Sequence, residues 1–171
     1  MEEHSGKVTM KGQPLTLLGP ELKVGELAPD LEVLDNHLQP VKLSAFRGKI
    51  CVLSSVPSLD TPVCDMETRR FNEVAANLGD RVQILTLSMD LPFAQKRWID
   101  SAEVNRVLTL SDHRDAAFGS AYGVLIKELR LLARVVFVID PAGIIQYIQR
   151  VREVADEPDY DAILEAIKKL L

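Results

Sequence analysis

Cysteine is scarce in this chain: Cys51 and Cys64 are the only two among 171 residues. Two thiols in a chain of this length make no disulfide scaffold. No CxxC pair occurs, and His4, His37 and His113 are scattered singly. The clustered, short-spaced ligands of a zinc site are therefore missing. Each histidine reads as a surface residue, and neither a metal nor a cofactor is expected. No apolar run approaches the ~20 residues needed to span a bilayer, so no membrane partner is expected. A basic excess is also lacking. Lys and Arg number 20 against 25 Asp and Glu, with net charge −5 and pI about 5.2. That argues against nucleic acid, which calls for a basic face. Met1-Glu2-Glu3-His4 is acidic and lacks the basic-then-apolar order of a secretory signal, so the expected compartment is the cytoplasm.

The chain has an ordinary globular composition, 47% hydrophobic and 26% charged, with length for a sizeable core. No repeat, low-complexity segment or linker divides it. Residues 1–171 are expected to form one domain, with 1–19 as an N-terminal hairpin extension. The hairpin is predicted over Val8–Leu17, turning through Lys11-Gly12-Gln13-Pro14. Two short strands, Asp30–Leu34 and Gln39–Leu43, precede a single turn over Ser44–Gly48. Ile50–Ser55 and Val82–Leu87 are continuous enough to be strands buried on both faces. Between them a helix runs from about Cys64 to Leu78. Its Phe71, Val74, Ala75 and Leu78 form one apolar stripe, and Gly79-Asp80 ends it. A helix from Pro92 to about Ile99, a strand over Val107–Leu110 and a short helix over Arg114–Tyr122 follow. Arg134–Ile139 and Ile144–Val151 pattern as a second hairpin. A last helix starts near Asp159, with Tyr160, Ile163, Leu164, Ile167 and Leu171 on one face. The order βαβα then ββα predicts a mixed sheet with helices on both faces, a thioredoxin-like α/β layout.

Pro57-Ser58-Leu59-Asp60-Thr61-Pro62-Val63-Cys64 joins the first buried strand to its helix. Cys64 is thereby predicted in the first turn of that helix, where unpaired N–H groups and the helix dipole favour a thiolate. Leu59 to Val63 wall the thiol, and Thr61 offers a hydroxyl to the same space. A free cysteine is commonly just a small buried apolar residue, and spacing alone leaves both readings open. Asp65 and Glu67, in the same turn, work against a thiolate unless a cation offsets them. Arg134 is the candidate cation. Arg69 and Arg70 are closer in sequence, but arginines on a helix surface are usually solvated. Cys51, inside the apolar strand, reads as core.

Pro57-x-x-x-Thr61-x-x-Cys64 matches the active-site signature of the peroxiredoxins. Four further blocks resemble their thiol peroxidase subfamily: Ser88-Met89-Asp90-Leu91-Pro92-Phe93-Ala94-Gln95-Lys96-Arg97-Trp98, Ala121-Tyr122-Gly123-Val124, Leu131-Leu132-Ala133-Arg134 and Glu157-Pro158-Asp159-Tyr160. The resemblance runs from the hairpin to the last helix. It implies the thioredoxin-like peroxiredoxin fold and a thiol-dependent peroxidase in which Cys64 is the peroxidatic cysteine. Thr61 and the Val63 and Cys64 N–H groups would hold the hydroperoxide, Leu59 would wall the site and Pro57 would shape and shield the loop. Arg134 would stabilise the leaving oxygen. The implied substrates are hydrogen peroxide and small organic hydroperoxides, the implied reductant is thioredoxin or another thiol, and the implied assembly is a homodimer.

One position departs from the pattern. The subfamily's resolving cysteine follows the aromatic of the Pro92–Trp98 block, and here that residue is Ile99. Three routes stay open: a one-cysteine cycle reduced by an external thiol, a variant lacking its resolver, and a cross-link between two chains through Cys64. A different class of function also keeps the same thiol: a redox sensor or binding module whose Cys64 oxidation is read by a partner.

Overall fold

The computed structural model describes residues 1–171. Strands β1 (Glu3–Met10) and β2 (Gln13–Leu18) form the N-terminal hairpin, which starts earlier than Val8. Lys11 and Gly12, at φ 50° and 79°, make a two-residue turn of the kind that suits a hairpin's twist. Pro14, expected in the turn, instead lies in β2 opposite Thr9. β3 (Glu32–Leu34) and β4 (Pro40–Lys42) are shorter than their predicted ranges, and a 3₁₀ turn occupies Leu43–Phe46. Then come β5 (Ile50–Ser55), α1 (Pro62–Leu78), β6 (Val82–Ser88), α2 (Pro92–Ala102) and β7 (Val107–Ser111). α3 (Ala117–Ala121), β8 (Leu125–Ile126), β9 (Leu131–Leu132), β10 (Val135–Ile139), β11 (Ile145–Arg150) and α4 (Tyr160–Lys168) complete the chain.

The main sheet has seven strands in the order β11-β10-β5-β6-β7-β3-β4. β5, β6 and β7 are parallel, since α1 and α2 each return the chain to the same end. β10 runs antiparallel to β5, and β11 to β10. All six residues of β5 are buried, and their side chains alternate between two cores. Ile50 and Val52 join Phe71 and Ala75 of α1 and Ile163 and Ile167 of α4. Cys51 and Leu53 face the other way, with Phe118, Tyr122 and Phe137. Helices therefore cover both faces, as the element order predicts. No helix is long and apolar enough to cross a membrane.

Three further expectations change. β8 and β9 were not predicted, being two residues each; they join the hairpin in a second sheet, β1-β2-β8-β9. α3 is shorter than Arg114–Tyr122. Ala116 takes left-handed φ 50° just before it, and the Asp112 carboxylate accepts from Phe118 N (2.9 Å) and Gly119 N (2.8 Å), so the helix begins late. On α4, Leu170 packs inward while Leu171 is exposed, because the helix ends at Lys168.

Gly123 closes the segment after α3 at φ 68°, and a Cβ there would collide with the Pro20 carbonyl oxygen. A Cβ at Gly19, φ 106°, would collide with that of Ser120. The two loops meet backbone to backbone, which only glycine permits. Gly123→Ala is expected to cost about 2 kcal/mol or more, from strained φ and the clash together. Urea unfolding of the variant checks this.

Candidate active site

Thr61 caps α1 from an extended conformation (φ −113°, ψ 149°), and Pro62 follows at the first helical position, where its missing N–H costs nothing. Cys64 is thus third in the helix, as the loop-to-helix spacing predicts. Its N–H donates to Thr61 Oγ1 at 3.4 Å, and the Thr61 hydroxyl donates to the Ser58 carbonyl at 3.0 Å. The Val63 N–H has no protein partner. Leu59 and Pro57, in the same loop, are both buried.

The inward stripe of α1 starts at the thiol. Cys64, Glu67, Thr68, Phe71 and Ala75 are its buried residues, while Val74 and Leu78 are half-buried. Glu67 therefore does not sit in solvent beside Cys64. Its side chain is fully buried, accepts from Ser54 Oγ at 3.0 Å and forms an ion pair with the Arg134 guanidinium. Arg134, 1% exposed, ends the segment before β10. Its NH2 group lies 3.2 Å from Cys64 Sγ and 3.0 Å from the Val154 carbonyl, to which Nε also donates at 3.3 Å. One of the five guanidinium N–H bonds has no assigned partner.

The electrostatics follow. Burial acts against the charge of Arg134, but Glu67 and Cys64 outweigh it and hold the guanidinium above its usual range. Burial pushes the Glu67 carboxyl up, opposed by Arg134 and Ser54. A fixed positive charge thus stands against Sγ, backed by a carboxylate one helical turn on.

Asp65 plays no part in this. It is drawn outward by Arg69 Nε (2.9 Å) and Trp98 Nε1 (2.7 Å), and Arg69 lies over the Trp98 ring. Arg70 pairs with Glu73 and lies over Tyr160. Neither helix arginine bonds to the thiol. Glu67 is the site residue that sequence reasoning missed in its role. The signal was available: Glu67 is three residues after Cys64 and four before Phe71, on the inward stripe.

Cys51 lies on the opposite face of β5 from Ser54 and α1, and burial pushes its thiol up to about 12. Ile99 is half-buried on α2, packed beside Trp98 and Ala102 against the α1 core. No group of three or more His, Cys, Asp or Glu side chains is placed to hold a metal.

Comparison with known proteins bears on this arrangement. The profile of the family described as Redoxin matches residues 23–164. A thiol peroxidase of Halalkalibacterium halodurans is 56% identical over 164 residues, covering 96% of this chain and 98% of that protein. A thiol peroxidase of Bacillus subtilis is 53% identical over 165 residues, with 96% and 98% covered. The crystal structure of a peroxiredoxin-like protein from Aquifex aeolicus superposes with TM-score 0.90 at 43% identity, covering 98% of this chain and 99% of that one.

Removing Glu67 leaves a buried guanidinium without its carboxylate partner. Glu67→Ala is expected to lose about 3–5 kcal/mol, the usual cost of orphaning one partner of a buried pair. Chemical unfolding measures it, and a loss no larger than that of an exposed glutamate would contradict the pairing.

Proposed function

The chain belongs to the redoxin family, among its thiol peroxidases, and from that premise we propose that Cys64 is the peroxidatic cysteine, with Thr61 and Arg134 as its partners. The protein is a peroxiredoxin-type, thiol-dependent peroxidase. The observation that carries the residue assignment is the 3.2 Å contact between Arg134 and Cys64 Sγ at a capped helix start.

The chemistry proceeds in two halves. The Cys64 thiolate attacks the terminal oxygen of a hydroperoxide. An S–O bond forms, the O–O bond breaks, and the leaving oxide takes a proton to become water or an alcohol. Cys64 is oxidised to sulfenic acid. The Thr61 proton is committed to the Ser58 carbonyl, so the hydroxyl oxygen is left to accept the hydroperoxide's O–H. The open Val63 N–H and the unassigned Arg134 N–H are the donors for the charge that grows on the departing oxygen. Pro57 and Leu59 shield the sulfenic acid. A Cys64 without exposed surface suits hydrogen peroxide and small organic hydroperoxides.

In the second half an external thiol attacks the sulfenic sulfur and releases water. A second thiol then breaks the mixed disulfide and restores Cys64. A one-cysteine cycle with thioredoxin or another thiol as reductant is the reading supported by Ile99 at the resolver's position and by Cys51 on the far face of the sheet. A bridge between Cys51 and Cys64 would have to cross β5, which the close approach needed by a disulfide forbids in the folded state. The reading treats residues 1–171 as one domain, with 1–19 as its hairpin extension. It places the enzyme in the cytoplasm, where free thiols persist. It also takes the enzyme to be a homodimer, for which exposed Met66, Leu91 and Phe93 on α1 and at the start of α2 supply apolar contact.

Turnover of hydrogen peroxide with a defined dithiol donor tests the assignment. Cys64→Ser is expected to abolish it. Arg134→Ala is expected to lower kcat/KM by about 100-fold or more, from lost charge stabilisation. Arg134→Lys recovers little, since one ammonium cannot replace a planar fork serving Glu67, Cys64 and Val154. Cys64 oxidation without turnover would instead favour a sensor.

A further inference from the structure

With its proton directed at the Ser58 carbonyl and one lone pair on the Cys64 N–H, the Thr61 hydroxyl keeps its other lone pair for a hydroperoxide, so whatever holds Ser58 helps to aim the acceptor. Ser58 lies in a loop with no regular structure, between β5 and α1. Its anchor is Asp90, 32 residues on, between β6 and α2. Asp90 Oδ1 accepts from Ser58 Oγ at 2.7 Å, and Oδ2 accepts from the Leu59 N–H at 2.8 Å. Oδ2 also accepts from Ser88 Oγ at 2.8 Å.

The anchor is itself held from several sides. The Asp90 N–H donates to Ser88 Oγ (3.3 Å), and Ser111 Oγ donates to the Asp90 carbonyl. Fully buried Gln95 donates from Nε2 to both Ser88 Oγ (3.0 Å) and the Leu110 carbonyl (2.9 Å). Asp90 is therefore fixed to the ends of β6 and β7, and its carboxylate reaches out to two successive residues of the loop. Bonds to an ionised acceptor are the stronger kind.

We infer that Asp90 is a positioning residue for peroxide reduction: it fixes the Ser58 carbonyl, which fixes the direction of the Thr61 proton and leaves the Thr61 oxygen open to substrate. Asp90 makes no hydrogen bond to Cys64, Arg134 or Glu67, so it acts through Thr61. The inference rests on the peroxidase reading above.

The test is a double-mutant cycle on the second-order rate of Cys64 oxidation by hydrogen peroxide. Asp90→Ala is expected to slow it about tenfold or more. In a Thr61→Val background, where no acceptor remains to be aimed, Asp90→Ala is expected to change it by less than about threefold. Asp90→Ser keeps a polar group near Ser88 but is too short to reach the loop. It is expected to show the same background-dependent drop, and it gives the reading if the alanine variant does not fold. Asp90→Asn, which preserves shape and one acceptor oxygen, is expected to restore most of the rate. Alkylation of Cys64 by iodoacetamide, which needs no Thr61 acceptor, is expected to stay within about threefold in every Asp90 variant. Equal slowing in both Thr61 backgrounds, an equal fall in alkylation, or no slowing at all overturns the positioning role while leaving the peroxidase reading intact. A wild-type rate no faster than that of free cysteine overturns both.

Discussion

A guanidinium buried as deeply as that of Arg134 has to be neutralised where it lies. Glu67 supplies the charge, the Val154 carbonyl accepts two of the donors, and another is turned on Cys64 Sγ. The partners come from three separate parts of the chain. Glu67 and Cys64 lie on the first turns of α1, Arg134 just before β10, and Val154 just beyond β11. The ladder between β10 and β5 brings these segments together, with Val135 opposite Ser55 and Ser54 beside it bonded to Glu67. The site is thus a product of the sheet's centre and not of a loop alone. Placing it there removes water from around the ions, which strengthens every charge interaction at the thiol.

Much of this was legible in the residues. The uninterrupted apolar run of Ile50–Leu53, the turn chemistry after it and the stripe through Phe71 and Ala75 specified a buried strand feeding a helix with Cys64 at its mouth. Arg134, polar at the head of Val135–Ile139, read as the cation. Glu67 did not read as a core residue, because an acid near a helix start is normally a solvated partner of the dipole. Its burial follows from a pair made 67 residues away, which local pattern does not encode. β8 and β9 were invisible for a related reason. Two-residue strands carry no period, and they exist because the hairpin edge gives them a partner.

The sheet also keeps the two cysteines on opposite sides of β5. Strand alternation sends Cys51 into the core beside Tyr122 and Phe137, and Ser54 toward the α1 face where Cys64 lies. One thiol meets an arginine, while burial in the core pushes the other up to about 12. On the proposed assignment, chemistry at Cys64 proceeds without competition from Cys51. In the proposed one-cysteine cycle the same separation leaves an oxidised Cys64 to be recovered by a thiol from outside, with further oxidation to sulfinic acid as the competing fate.

On the proposed assignment, the Arg134–Cys64 contact makes one of two buried thiols a peroxide-reducing group. The most direct measurement is a single-turnover reaction with one equivalent of hydrogen peroxide in the presence of dimedone, with rate by stopped flow and sites by mass spectrometry. The account predicts one sulfenic acid adduct per chain, on Cys64 alone, formed on the order of 10³-fold or more faster than on free cysteine, given positioning and charge stabilisation of ordinary size. An adduct on Cys51, or a rate matching free cysteine, would contradict it.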